Sequence, residues 1–142
     1  TISIISQTTR YKGALMTAGH GNMIDAALQF RPGAGTDASF WAEGGQGLMG
    51  GTIWEQKQRY LENSPIMYLD RVRTPLLIAH GEDDDGVPVY MSDQLFVGLR
   101  RLGRDVEYRR YAGEGHVING AENLSEYWRA AIRWFDAHVK ND

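Results

Sequence analysis

The sequence predicts an α/β fold, a mostly parallel sheet flanked by helices, and three observations lead there. The run "LLIAH" (76–80) is apolar without alternation, introduced by Pro75 and stopped by Gly81, as in a strand buried on both faces. The stretch "PVYMSDQLFVGLRRLG" (88–103) opens on Pro88 and closes on Gly103. Its apolar residues Met91, Leu95, Leu99 and Leu102 recur at three and four, the period and punctuation of a helix. Strand-like and helix-like segments then alternate along the chain, the pattern of parallel strands joined by helical crossovers.

Taken in order, residues 1–10 read as the last turns of a helix, with Ile2, Ile4 and Ile5 before the polar tail "SQTTR". "KGALMTAG" (12–19) is a short apolar strand bounded by glycines. Residues 19–53 hold over half of the chain's 17 glycines and read as loop with short helical pieces. "IWEQKQRYLENSP" (53–65) predicts a helix closed by Pro65. "DVEYRRYAG" (105–113) alternates as a strand, with Val106, Tyr108 and Arg110 on one side. "AENLSEYWRAAIRWFDAHVK" (121–140) predicts a long amphipathic helix that buries Leu124, Trp128, Ile132, Phe135 and Val139.

A chain of 142 residues suits one domain with a real core, and 42% apolar with 23% charged residues is the mix of a globular protein. A formal net charge of −3 argues against nucleic-acid and anionic-membrane partners. No apolar run approaches the ~20 residues of a membrane span. Without cysteine there is no disulfide, thiol nucleophile or thiolate zinc site, and the choice between a cytoplasmic and a periplasmic setting stays open. No cofactor is implied, and the acids at 82–85 lack the spacing of a calcium loop.

Chemistry enters where "LLIAH" runs into Glu82, Asp83, Asp84 and Asp85. A cluster of four acids is either a solvated turn or a turn that aims one carboxylate at a partner. In open parallel sheets ligands gather at the carboxyl ends of the strands. The next strand ends in "YAGEGHVING", which places His116 on the same rim, 32 residues after Asp84. A carboxylate after one strand and a histidine after the next is the orienting half of a nucleophilic triad. The chain order Ser, Asp, His needs a G-x-S-x-G elbow upstream, and none of Ser3, Ser6, Ser39, Ser64, Ser92 or Ser125 has that frame. The nucleophile is therefore expected outside this chain.

The strings "GGQGLMGGTIWEQKQRYLENSPIMYLDRVRTPLLIAHGEDDDGVP" and "GEGHVI" resemble the C-terminal part of the catalytic domain of the prolyl oligopeptidase family of serine peptidases. The resemblance covers nearly the whole chain and implies the C-terminal portion of an α/β-hydrolase fold. It implies Asp84 as the triad acid, three residues before Val87, and His116 as the base. It also implies a serine roughly half a dozen residues before Thr1, in the elbow, and an upstream β-propeller or similar domain. Gly86 stands where several relatives carry a residue that contacts the substrate carbonyl. The expected function is a fragment of a serine peptidase acting on short peptides, inactive alone and partnered by the missing amino-terminal part of the same protein. An acyl-ester hydrolase fragment and a non-catalytic interaction domain are the alternatives. An apolar edge left by missing strands would favour that partner or a homo-oligomer.

The remaining candidates carry plainer readings. Glu82 and Asp83 are expected to be solvated, His80 to be a packed strand-end residue, and His138 to be solvated near a helix end. His20, in "TAGHGNM", follows a third strand end and could line the same rim. The aromatic residues between 40 and 54 are expected to cover the core rather than to form a subsite.

Overall fold

In a computed structural model of the protein, which describes residues 1–31 and 34–140, three parallel strands form the central sheet in the order β1, β4, β5. Strand β1 spans Ala14–Thr17, β4 spans Leu76–Gly81 and β5 spans Val106–Tyr111. Ala14 pairs with Leu76 and Leu76 with Val106, so the strands advance in step and all end on one rim. All six residues of β4 are buried. That burial is why "LLIAH" shows no alternation: Leu76 and Ile78 fill one core, Leu77 and Ala79 the clusters on the other face.

One face is covered by the short helix α1 (Ile2–Ile5), by a 3-10 stretch at Pro65–Arg71 and by α5 (Tyr90–Arg101). Met91, Leu95 and Leu99 point inward from α5, as their spacing predicts, while Leu102 is exposed. Gly103 ends the helix at φ +65°, a left-handed position in which its N–H reaches the Arg100 carbonyl at 3.0 Å. The other face is covered by α6 (Ala121–Val139).

Helix α6 buries a different stripe from the one its large residues suggested. Ala130, Ala131 and Trp134 are buried, with Tyr127 and Phe135 packed beside them. Leu124, Trp128, Ile132 and Val139 face outward, Ile132 at 58% exposure. The alanines let the helix axis approach Leu77 closely, and that contact outweighs the bulk on the neighbouring stripe. His138 also departs from expectation. It bonds the Trp134 carbonyl at 2.8 Å and Asp105 at 3.0 Å; burial opposes its charge, yet these bonds hold its pKa above the ordinary value.

Between β1 and β4 the chain builds a small cap. Helices α2 (Met23–Ala27), α3 (Ser39–Glu43) and α4 (Lys57–Glu62) pack Met23, Ala27, Ala42, Met49 and Tyr60 into a second core. Two-residue strands β2 (Phe30–Arg31) and β3 (Thr36–Asp37) form an antiparallel hairpin there, which the glycine-rich composition concealed. Helix α4 is shorter than expected, and Pro65 opens the 3-10 stretch instead of closing a helix. Buried Ser64 ties this cap together, donating to the Tyr60 carbonyl at 2.7 Å and accepting from Met23 N–H at 2.9 Å. Among residues 40–54, Trp41 and Ile53 pack against this core, whereas Phe40 and Trp54 are exposed, so not all of those aromatics cover it.

Candidate active site

Strand β4 ends against the loop that follows β5. Glu82 N–H donates to the Tyr111 carbonyl at 3.0 Å and Asp83 N–H to the Glu114 carbonyl at 2.9 Å, so the two loops are laced backbone to backbone. Gly81 makes the approach possible, because a Cβ there would run into the carbonyl oxygens of Glu114 and Gly115. Glu82 is exposed, as expected, and pairs with Arg110 at 3.0 Å on the surface.

The turn then folds Asp84 inward, and its side chain is fully buried. Its Oδ1 accepts from Gly86 N–H and Val87 N–H, both at 2.8 Å. Its Oδ2 faces His80 Nε2 at 3.1 Å and His116 Nδ1 at 2.9 Å. Four donors around one carboxylate suit an acceptor-only, ionised Asp84. Asp84 and His116, the two residues singled out from the sequence, are thus in direct contact.

The contact fixes the tautomer of His116. Nδ1 carries the proton donated to Asp84, which leaves Nε2 as the acceptor. The His116 side chain is 56% exposed. The loop that presents it is clamped from below by Glu114, which is buried against its own turn. The Glu114 carboxylate accepts from Asn119 N–H at 2.9 Å, Gly120 N–H at 3.1 Å and Asn123 Nδ2 at 2.8 Å, and these bonds hold its pKa below the ordinary value.

Sequence reasoning missed Glu114 as a clamp, whereas His80 is the packed strand-end residue expected, set behind Asp84. His80 is completely buried, and its Nε2 lies near two acceptors, Asp84 Oδ2 and the Val87 carbonyl at 2.8 Å, so that nitrogen carries a proton. Its Nδ1 meets Ser92 Oγ at 2.7 Å, and Ser92 in turn lies 3.2 Å from the Gly19 carbonyl. The available signal was position: His80 is the β4 residue that shares the α5-facing side with Leu76 and Ile78. Among the described residues, no serine hydroxyl bonds to His116; Ser92 and Ser64 are both occupied elsewhere.

A cavity of about 410 Å³ opens beside His116. Its lining includes Gly86, Val87, Met91, Trp41, His20 and Arg31. His20 meets the Trp41 ring edge-to-face at 5.3 Å between centroids, and burial lowers its pKa. The third strand end therefore does reach the common rim. The arrangement offers an oriented base with a free ring nitrogen, a cavity next to it, and no metal-binding cluster among the described residues.

Known proteins share both sequence and fold with this chain. A curated Bacillus subtilis peptidase, YuxL, is 29% identical over 139 residues, 96% of this chain and 20% of that protein. Dipeptidyl-peptidase 5 of Porphyromonas endodontalis is 32% identical over 96 residues, 65% of this chain and 14% of its own length. The chain thus spans a fifth or less of these relatives. The uncomplexed acylaminoacyl peptidase of Pyrococcus horikoshii superposes with a TM-score of 0.83 at 19% identity, covering 99% of this chain and 22% of that one. A puromycin-hydrolyzing peptidase of Mycobacterium tuberculosis gives 0.80 at 22% identity, covering 98% and 20%. These likenesses give the architecture, that of the α/β-hydrolase peptidases. The family description "Prolyl oligopeptidase family" matches residues 2–142, and the chain belongs to that family.

Proposed function

We propose that this chain supplies the acid and base of a Ser-Asp-His triad in a serine peptidase that cleaves short peptides through an acyl-enzyme. The observation that carries the reading is the His116 Nδ1–Asp84 Oδ2 contact of 2.9 Å, with Nε2 left as acceptor beside the cavity. In this reading the serine comes from an upstream part of the same protein. Its Oγ attacks the substrate carbonyl as its proton passes to His116 Nε2, and Asp84 stabilises the imidazolium through Nδ1–H. The imidazolium then protonates the leaving amine. A water molecule, deprotonated by the same nitrogen, releases the acid and restores the serine.

The buried environment of Asp84 supports the acid's role, because a carboxylate fixed by two backbone amides has one productive orientation toward His116. The test is to assay the full-length protein with aminoacyl and peptidyl chromogenic amides, and to treat it with a serine-directed phosphonylating reagent. Turnover blocked by the reagent, lost in His116→Ala and absent from the 142 residues alone is the expected result. Undiminished turnover in His116→Ala would remove the reading.

A further inference from the structure

We propose that the cavity beside His116 is a subsite for a carboxylate on the acyl side of the substrate, read by Arg31. This rests on the proposed hydrolytic function for its kinetic arm only. Arg31 ends β2, and its Nη2 donates to the Gly86 carbonyl at 3.1 Å. Gln29 Nε2 donates to the same oxygen at 3.0 Å. The turn that orients Asp84 therefore also anchors Arg31, which fixes the guanidinium relative to His116.

The guanidinium is incompletely satisfied there. Its Nε is buried without a hydrogen-bond partner, and among the described residues no carboxylate lies within ion-pair distance of it. Asp84 is engaged by two histidines and two amides, Glu82 by Arg110 and Asp25 by Gln94. Asp85, next to Gly86, is exposed to solvent and not paired with the guanidinium. A partly buried cation without a counter-ion is costly, and an incoming anion relieves that cost. Guanidinium matches carboxylate in shape and charge.

The rest of the cavity fits a short stem that ends in such a group. Ala26, Trp41 and Met91 supply apolar walls, and a volume of about 410 Å³ lies within the range of small-molecule sites. In the same lining, His20 Nδ1 is also buried without a partner. Burial lowers the pKa of that ring, so it serves the site as a polar contact while the guanidinium supplies the charge. A glutamate-like residue, with methylenes against Trp41 and its carboxylate at Arg31, uses each of these features.

The experiment has a binding arm and a kinetic arm, both on the full-length protein. Calorimetry compares N-acetylglutamate with N-acetylglutamine, and assays compare chromogenic amides of the same two residues. The acid should be favoured about 10- to 100-fold, the range a charge-assisted hydrogen bond carries. Arg31→Gln should abolish the preference, and Arg31→Lys, which keeps the charge without the fork, should retain part of it. Equal affinity for the two ligands, or a preference surviving Arg31→Gln in protein with an unchanged circular dichroism spectrum, overturns the proposal. Acid-selective binding without any hydrolysis would uphold the subsite and sink the peptidase reading.

Discussion

The two loops that meet at the rim are built to opposite standards. The turn after β4 buries the Asp84 side chain completely and meets it with four donors. The loop after β5 holds up His116 at 56% exposure with one side-chain hydrogen bond. Such an asymmetry follows from the chemistry proposed. An orienting group works best when nothing competes for it, whereas a proton carrier must reach its reactants. Rigidity is therefore concentrated in the acid's turn and passed to the histidine through backbone and clamp.

The largest effect expected from breaking this asymmetry is at the pair itself. In the full-length protein His116→Ala should lower turnover by several powers of ten, and Asp84→Asn by ~10⁴, by leaving the wrong tautomer. Steady-state assays check both, and near wild-type turnover in Asp84→Asn would send the acid's role elsewhere.

Next comes the clamp. Glu114→Gln should reduce turnover by a factor of about ten to a hundred, because a misplaced base loses alignment. Its depressed pKa adds a pH signature. The stability it gives is present above the unfolded carboxyl value and is lost as pH falls through the lower folded value. Urea midpoints of wild type and Glu114→Gln should therefore converge in acid and separate toward neutrality. Parallel midpoints at every pH would remove the clamp's charge from the account.

His80→Phe probes the buried side of the same carboxylate. It leaves Ser92 and the Val87 carbonyl short of a partner, at about 1–3 kcal/mol of stability. Turnover should fall with stability, and a stability unchanged in denaturant titration would contradict the bonding described for Nε2. The smallest effect belongs to the outward stripe of α6. Ile132→Lys should change stability by no more than about 0.5 kcal/mol. A much larger loss in the full-length protein would show that something packs on that face.

How much of this was legible varies with how local its cause is. Strand β4 and helix α5 were readable because their burial and punctuation lie within their own residues. The stripe that α6 buries was not, because Ala130 and Ala131 win by permitting close approach to Leu77, a fact about another segment. The β2–β3 hairpin was hidden by its length, two residues per strand in a glycine-rich stretch. Asp84 and His116 could be proposed from chain order and from the family's strings. Arg31 could not, since only folding brings it across 55 residues to Gly86. Glu114 sat in plain view in "GEGH", but a carboxylate's service to amides five and six residues later has no spacing rule of its own.

The lacing of the two loops has a consequence for motion. Glu82 and Asp83 donate their amide protons to Tyr111 and Glu114, so neither loop can peel from the rim without breaking bonds of the other. The acid and the base then open as one cooperative unit, not as two independently fraying tips. Hydrogen–deuterium exchange at those two amides should share a single opening free energy with the amides of Gly86 and Val87 under the Asp84 carboxylate. Thermal excursions that separate the pair are rare for the same reason that excursions of the whole rim are rare.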